Sequence, residues 1–366
     1  MVIMAKIKKA DFGDRSYYFS YGSGIVGSIG RLLNSLDLDS SKVIVVSHPE
    51  LRDLYAAKLE ASLGKAGRSV HWILVPSGEK NKTLASVAKL YSEFASQEVS
   101  KRTPVIALGG GVMQDLVNFA CATFLRGVPF IQVPTTLLSQ ADIGIGGCAI
   151  DHPKGKSLVG TFYQPKAAVL DTDFLGSLPL NEIRSGISEI INKVVCLKGE
   201  RPSELRKALP KLLTRDPKTT SRYILKSNAT KLAIIRGDET GIRGKRVALD
   251  FGHTLTYAIE KATDYKMPHG FALGIGMRAA LLLSEEKAGF PPAITKEIVA
   301  LIEAAGLPIC MPAELKPQTL LSLMHVDQKV KDGMVRFVLL SKIGKFFVSE
   351  GVSDEELFKL IGKMYE

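Results

Sequence analysis

Four short apolar runs dominate the first half of the chain: "KVIVVS" around 43–47, "VHWILVP" at 70–76, "PVIALGGG" at 104–111 and "FIQVPTT" at 130–136. They are rich in β-branched residues and nearly continuous rather than alternating. A strand that is apolar on both faces belongs in a parallel sheet covered on both sides. Between the runs lie stretches at helical spacing, one carrying Leu51, Leu54, Tyr55 and Leu59 and the next reading "TLASVAKLYSEFA". Repeated βα units of this kind predict an open, doubly wound, Rossmann-like α/β sheet.

After about residue 180 the pattern changes. Ile183, Ile187, Ile190, Ile191, Val194 and Val195 recur at helical spacing. The stretches "TKLAIIRG", "GIGMRAALLLSEEKAG" and "ITKEIVALIEAAGLP" read as further helices, the last stopping at Gly306 and Pro308. Only "FVLLSKIGKFFVS" (337–349) reads as a late hairpin. A chain of 366 residues has room for two domains. The change of pattern puts their boundary at the Pro179 turn, with an α/β domain over 1–179 and a mostly α-helical domain over 180–366.

Composition excludes several classes. The 46% hydrophobic and 23% charged content is that of a globular chain, and no run approaches 18 consecutive apolar residues, so no membrane span is expected. The N-terminal residues lack the apolar run and cleavage site of a secretion signal. Cys121, Cys148, Cys196 and Cys310 are scattered without a CxxC pair, which fits reduced thiols in the cytoplasm. The net charge is +11, but the lysines and arginines form no dense block. That favours a solvated surface or a pocket for an anionic small molecule over nucleic-acid binding.

Five segments carry candidate chemistry. "VIALGGGVMQD" (105–115) runs strand, glycines, helix start, the form of a phosphate-approaching turn, without the GxGxxG spacing. "VPSGEKNKTL" (75–84) places Glu79 and Lys82 beyond another strand end, where open sheets bind ligands. "VPTTLLSQADIGIGG" (133–147) offers Thr135, Thr136 and Asp142. "LDFGHTLTYAIE" (249–260) and "MPHGFALGIGM" (267–277) each set a histidine beside a glycine. With Glu189, His253 and His269 could form a two-histidine, one-carboxylate metal set; separate structural roles are the alternative. The stretch "GGCAIDHPKGKS" (146–157) reads as a metal site, an anion-binding loop or a turn.

In order, "GGGVMQDLVNFACATFLRGVPFIQVPTTLLSQAD", "GKSLVGTFYQPKAAVLDTDFLGSLP", "SEII" and "DFGHT…HG…GM" resemble the 3-dehydroquinate synthase family of NAD-dependent sugar-phosphate cyclases, from about residue 40 to 350. The resemblance implies an NAD-binding N-terminal domain, a helical metal-binding C-terminal domain, an active site in the cleft between them and a homodimer. Its metal ligands, for Zn2+ or Co2+, fall on Glu189, His253 and His269. Its NAD+ contacts fall on Glu79, Lys82, Gly110, Gly111, Val112, Asp115, Thr135, Thr136, Asp142, Lys156, Ser177 and Leu178. Lys231 and Arg246 match the groups that hold a substrate carboxylate, with Arg243 a competitor for the second. Arg126, supplied by the partner subunit, and Lys345 match phosphate-binding groups, as do Lys156 and Ser157. Asp142, Lys193, Lys231, Arg246 and Asp250 are the catalytic candidates. The implied chemistry oxidises a hydroxyl transiently with NAD+, eliminates phosphate, returns the hydride and closes a carbocycle. The default substrate is 3-deoxy-D-arabino-heptulosonate 7-phosphate, giving 3-dehydroquinate.

The departures from the family cluster in the phosphate pocket. The segment "GGCAIDHP" is one residue short and puts Cys148 near a lost lysine. Ser157 replaces an asparagine, Tyr257 a histidine, Asp250 an asparagine and Phe271 an acid. Asn192 stands where the family has lysine, with Lys193 one step on. Lys154, Lys193 or Lys342 could restore the charge. Otherwise the chain is a divergent cyclase for another C7 sugar phosphate, such as sedoheptulose 7-phosphate or an amino analogue. A metal-dependent polyol dehydrogenase and an NAD-binding pseudoenzyme are the remaining alternatives.

Overall fold

A computed structural model describes residues 6–366 apart from 14, 37, 39, 154, 326–329 and 331. Lys154, a candidate replacement cation, lies outside the described residues. The chain divides into two compact units, Met1–Ser177 and Leu178–Glu366.

The first unit runs β1 (Lys6–Ala10), β2 (Tyr17–Gly22), α1 (Ile29–Ser35), β3 (Lys42–Ser47), α2 (Pro49–Gly64), β4 (Ser69–Leu74) and α3 (Leu84–Ser96). It continues with β5 (Val105–Gly109), α4 (Gly111–Thr123), β6 (Phe130–Pro134), α5 (Leu137–Ala141), β7 (Cys148–His152), β8 (Gly155–Thr161) and β9 (Ala167–Asp171). Seven strands form one sheet in the order β1-β2-β9-β6-β5-β3-β4, parallel except for the β1–β2 pair. Successive side chains point to opposite faces of a strand. Val43 and Val45 of β3 pack with Ile29, Leu59 and Leu63 of α1 and α2, while Ile44 and Val46 pack with Leu90, Phe94 and Leu116 of α3 and α4. Both faces of the sheet are therefore covered, as the continuous apolar runs require.

The second unit begins with α6 (Leu180–Ile190), which passes directly into a π-helix, Ile191–Leu197. Then come α7 (Pro202–Leu213), α8 (Pro217–Ile235), α9 (His253–Ala262), α10 (His269–Ala288), α11 (Pro292–Ala304), α12 (Pro317–Met324), the hairpin β10 (Val338–Lys342) and β11 (Lys345–Val348), and α13 (Asp354–Lys363). Its core joins Leu255 and Ile259 of α9, Ile275 and Leu283 of α10, Leu339 of β10, and Leu357 and Ile361 of α13. Among the described residues no helix is long and apolar enough to cross a membrane.

Two expectations are corrected. The 146–157 stretch, open in the sequence between a metal site, an anion-binding loop and a turn, forms most of an antiparallel hairpin within the first unit, with Cys148 opposite Thr161 and His152 opposite Gly155. Much of β8 is exposed, so it carries no apolar run to announce it. The continuous α-helix expected over 183–195 changes to π geometry at Ile191.

Candidate active site

In the first unit the chain passes from β3 to β4 on one side and then crosses back to β5 on the other. The crevice outside the carboxyl ends of β3 and β5 is thus a topological switch point, where open α/β sheets bind ligands. The turn Gly109–Gly111 lies at that crevice and leads into the 13-residue helix α4. Its N-terminus favours negative charge, and Gly111 has open space where a side chain would stand. These features suit the pyrophosphate of a dinucleotide. Val112 lies in the first turn of α4. Thr135 is buried one residue beyond β6, its N–H donating to the Gly109 carbonyl at 3.0 Å. Thr136 is already engaged as the N-cap of α5 in a capping box with Ser139.

Four of the predicted cofactor residues meet beside this turn. Lys82, 5% exposed, has its Nζ 2.6 Å from Asp115 and 4.0 Å from Glu79, and Lys156 approaches Glu79 at 3.2 Å. Burial works against the Lys82 ammonium, but Asp115 and Glu79 outweigh it and raise its pKa above the ordinary lysine value. Asp151 joins the group, accepting the Ser157 N–H at 2.8 Å; burial raises its pKa against the pull of Lys82. Cys148 is buried nearby, and burial together with the Asp115 charge holds its thiol protonated. It is therefore suited to be neither a thiolate ligand nor a nucleophile.

The second unit brings Glu189, His253 and His269 together, with one ligand atom from each within 4.8 Å of the others. Their elements explain why. Glu189 lies in the last turn of α6 and is 2% exposed. His253 opens α9 after Gly252, whose φ of 82° is a left-handed conformation that favours glycine. His269 opens α10 after Pro268. The Glu189 Oε1 atom is 3.6 Å from His253 Nε2 and 3.3 Å from His269 Nε2. Each imidazole is oriented from behind: His253 Nδ1 meets the Phe251 carbonyl at 3.2 Å, and His269 Nδ1 meets Glu260 Oε1 at 3.2 Å. Holding Nδ1 in this way turns Nε2 toward the carboxylate and sets its tautomer. Two imidazoles and one carboxylate, buried and mutually close, fit Zn2+ or Co2+ with coordination positions left open.

Charge in this cluster is balanced from within. Burial alone would raise the Glu189 pKa; Lys193 and the two histidines overcome it and hold the carboxyl well below the usual range. Burial would likewise lower His269, but Glu260 and Glu189 push it up to about 9, from an ordinary 6.5. In the metal-free protein this charge contributes stability that is full below 6.5 and lost as pH rises through about 9. Binding a divalent ion at His269 must expel its proton. Titration calorimetry at pH 7.5, in two buffers of different ionisation enthalpy, is expected to read release of about one proton per ion. Zero release would show that His269 is already neutral in the metal-free protein at that pH.

The remaining predicted residues are more scattered. Lys231 is buried on α8. Arg246 donates to the Glu239 carbonyl at 2.9 Å. Asp238 accepts the backbone N–H groups of Arg243, Lys245 and Arg246, so the segment "GIRGKR" (241–246) folds around a carboxylate. Asp250 ends the short helix Arg246–Asp250. Tyr257 lies one turn from His253, its ring tilted at 56° to the imidazole with centroids 5.4 Å apart. Asn192 and Lys193 lie in the π-helix, fully buried. Asp142 caps the C-terminal end of α5, Ser177 bonds Tyr55 at 2.7 Å, and Leu178 opens the second unit. Arg126 is exposed on a left-handed turn with φ 62°, and Lys345 is exposed on β11. No contact among the described residues ties Arg126 to the first cluster or Lys345 to the second.

Two residues escaped the sequence reading. Glu260 stands seven positions after His253, two helical turns on the same face of α9, and that spacing was the available signal. His48 follows β3 at the switch point; its Nδ1 meets the Val75 carbonyl at 2.9 Å, and its Nε2 lies 3.7 Å from where a side chain at Gly109 would begin.

A parallel α/β unit with a glycine turn at its switch point, followed by a helical unit with a buried two-histidine, one-carboxylate set, is the architecture of two-unit enzymes that pair a dinucleotide-type sheet with a metal-type helical unit. The family models described as 3-dehydroquinate synthase N-terminal and C-terminal match residues 72–185 and 186–330. The chain belongs to the 3-dehydroquinate synthase family. It is 38% identical over 349 residues to a 3-dehydroquinate synthase of Picosynechococcus sp., covering 94% of this chain and 95% of that protein. Its fold is that of a 2-deoxy-scyllo-inosose synthase solved with carbaglucose-6-phosphate, NAD+ and Co2+, with TM-score 0.87 and 23% identity over 98% of this chain and 100% of that one. A 2-epi-5-epi-valiolone synthase from Streptomyces hygroscopicus, with NAD+ and Zn2+ bound, gives TM-score 0.85 and 22% identity over 97% of this chain and 98% of that one.

Proposed function

We propose that the protein is a sugar-phosphate cyclase, a carbon–oxygen lyase that converts 3-deoxy-D-arabino-heptulosonate 7-phosphate to 3-dehydroquinate with release of phosphate. The observation that carries this reading is the near full-length 38% identity to a 3-dehydroquinate synthase, combined with a donor set suited to a divalent ion. Glu189, His253 and His269 would hold Zn2+ or Co2+. The Gly109–Gly111 turn, with Glu79, Lys82 and Asp115 beside it, would hold NAD+. When bound, the ion supplies Lewis-acid polarisation of a hydroxyl oxygen, and the dinucleotide supplies hydride acceptance and return.

The chain's own residues have the complementary tasks of orientation and charge placement. Lys231 and Arg246 are assigned to the substrate carboxylate. Lys156 and Ser157 are assigned to the phosphate, with Lys345 and the partner subunit's copy of Arg126 as further cations. Supply of that arginine by a second copy makes the homodimer part of the proposal, and the four free cysteines support a cytoplasmic setting.

A second reading is favoured by changes at positions that match the family's phosphate-binding residues. Cys148 and Tyr257 stand where the family carries a lysine and a histidine, which removes cationic contacts from a dianion site. That reading makes the protein a cyclase for another C7 sugar phosphate. Incubating the protein with NAD+, Zn2+ or Co2+ and each heptulose phosphate separately distinguishes the two by phosphate release and product mass. Release from the deoxyheptulosonate substrate is expected. Release only from sedoheptulose 7-phosphate would transfer the assignment. Net NADH accumulation from a polyol would mark a dehydrogenase, and NAD+ binding without turnover a pseudoenzyme.

A further inference from the structure

The family's lysine three residues after the metal-type glutamate is Asn192 here, and the lysine comes one position later. At Ile191 the helix adopts π geometry, in which the Lys198 N–H reaches back five residues to the Lys193 carbonyl. Such turns are rare and concentrate at functional sites. Two neighbouring side chains of this turn engage one member of the metal set and the carbonyl behind another. Lys193 Nζ bonds Glu189 Oε2 at 2.5 Å, and both groups are almost fully buried. Asn192 Nδ2 donates to the Phe251 carbonyl at 2.7 Å, the same carbonyl that His253 Nδ1 meets.

We propose that this π-helical turn is an outer frame for the metal set, in which Lys193 restricts Glu189 to binding an ion through one oxygen and Asn192 fixes the carbonyl that orients His253. The proposal rests on the metal reading given under Proposed function. The two carboxylate oxygens of Glu189 have separate environments. Oε1 faces both imidazole Nε2 atoms, at 3.6 and 3.3 Å, while Oε2 is engaged by the ammonium. A charge-assisted bond of this kind, between two almost fully buried groups, keeps Oε2 occupied. Glu189 then takes one coordination position rather than two, and a further position stays open for a substrate oxygen. Asn192 acts on the other side of the set. Its amide and the Nδ1–H of His253 converge on one carbonyl, which favours the tautomer whose Nε2 lone pair faces an ion.

The test loads the full-length protein with Co2+ and reads its visible d–d absorption, which reports coordination number independently of turnover. Lys193→Met is expected to free Oε2, so that the absorption weakens toward that of a higher-coordinate ion. Lys193→Arg, which keeps the charge, is expected to retain the wild-type spectrum. Asn192→Ala is expected to keep the spectrum but weaken Co2+ binding by about 10–100-fold, the scale of outer-shell losses. A Lys193→Met spectrum superimposable on wild type would overturn the one-oxygen role. Should Lys193→Met fail to fold, Asn192→Ala still decides the frame: unchanged Co2+ affinity would overturn it. If the wild-type protein bound no Co2+, the metal reading itself would fall, and this inference with it.

Discussion

Glu189→Ala is expected to abolish stoichiometric metal binding and to unfold more easily than the wild type. The carboxylate is the one member of the set that faces both imidazoles, and it is itself buried. Its loss is expected to weaken Zn2+ or Co2+ binding beyond the ~10–100-fold that outer-shell changes cost. Phosphate release should fall by a comparable factor. The stability effect has a separate cause. Lys193 is 2% exposed, and without Glu189 its ammonium loses the partner held at 2.5 Å. Breaking a buried pair from one side costs about 3–5 kcal/mol. The double variant Glu189→Ala/Lys193→Met removes the stranded charge and is expected to recover much of the stability but none of the metal binding. Glu204→Ala breaks the exposed pair with Lys207 and should leave stability nearly unchanged. Denaturant melts of the metal-free proteins and metal titrations measure both quantities. A Glu189→Ala protein that bound metal with wild-type affinity and kept full activity would sink the ligand assignment.

Gly270→Ala is expected to be nearly as damaging, though it removes no functional group. Gly270 follows His269 in the first turn of α10, and its N–H donates to Ser185 Oγ at 2.9 Å. A Cβ at this position would stand 2.4 Å from both the Cα and the carbonyl oxygen of Ser185 on α6. Backbone cannot yield as a flexible side chain does, so α10 must move away from α6. Such overpacking costs about 1–3 kcal/mol, occasionally more. Because α6 carries Glu189 and α10 carries His269, the same displacement separates two ligands, and metal affinity is expected to fall by at least about 10-fold. Gly362→Ala is the control: it lies in α13 with nothing within 4 Å of the added carbon. It should be neutral or stabilise by about 0.5–1 kcal/mol. Equal melting temperatures and metal affinities for Gly270→Ala and wild type would show that this contact does not set the ligand spacing.

Much of the fold was legible, and the gaps have physical reasons. Strands β3, β5 and β6 are buried on both faces, so burial writes itself into the sequence as continuous apolar residues. Strand β1 is an edge strand exposed at Ile7, Lys8 and Lys9 and carries no such mark. The β7–β8 hairpin was missed for the same reason, because much of β8 faces solvent. The π-helix was hidden in the opposite way. All seven of its residues are buried, so nothing in their polarity separates its period from that of an α-helix.

For the site, the residue types and their order along the chain pointed to Glu189, His253 and His269 and to the glycine turn. Those assignments depend on local motifs, each read within a few residues. The tertiary structure decided what those motifs touch. It brought Lys82, Asp115, Glu79 and Lys156 into one charge cluster from three separate elements and the loops beside them. It put Glu260 behind His269 and the Phe251 carbonyl behind His253. It also gave the neighbours Asn192 and Lys193 separate partners, the Phe251 carbonyl and Glu189. Sequence by itself determined which segments must be buried and which residues carry chemistry, because burial and side-chain type are local properties. Only the fold decided which nitrogen faces which oxygen, because those distances depend on the close approach of α6, α9 and α10, whose ligands lie more than 60 positions apart in one case and 80 in another.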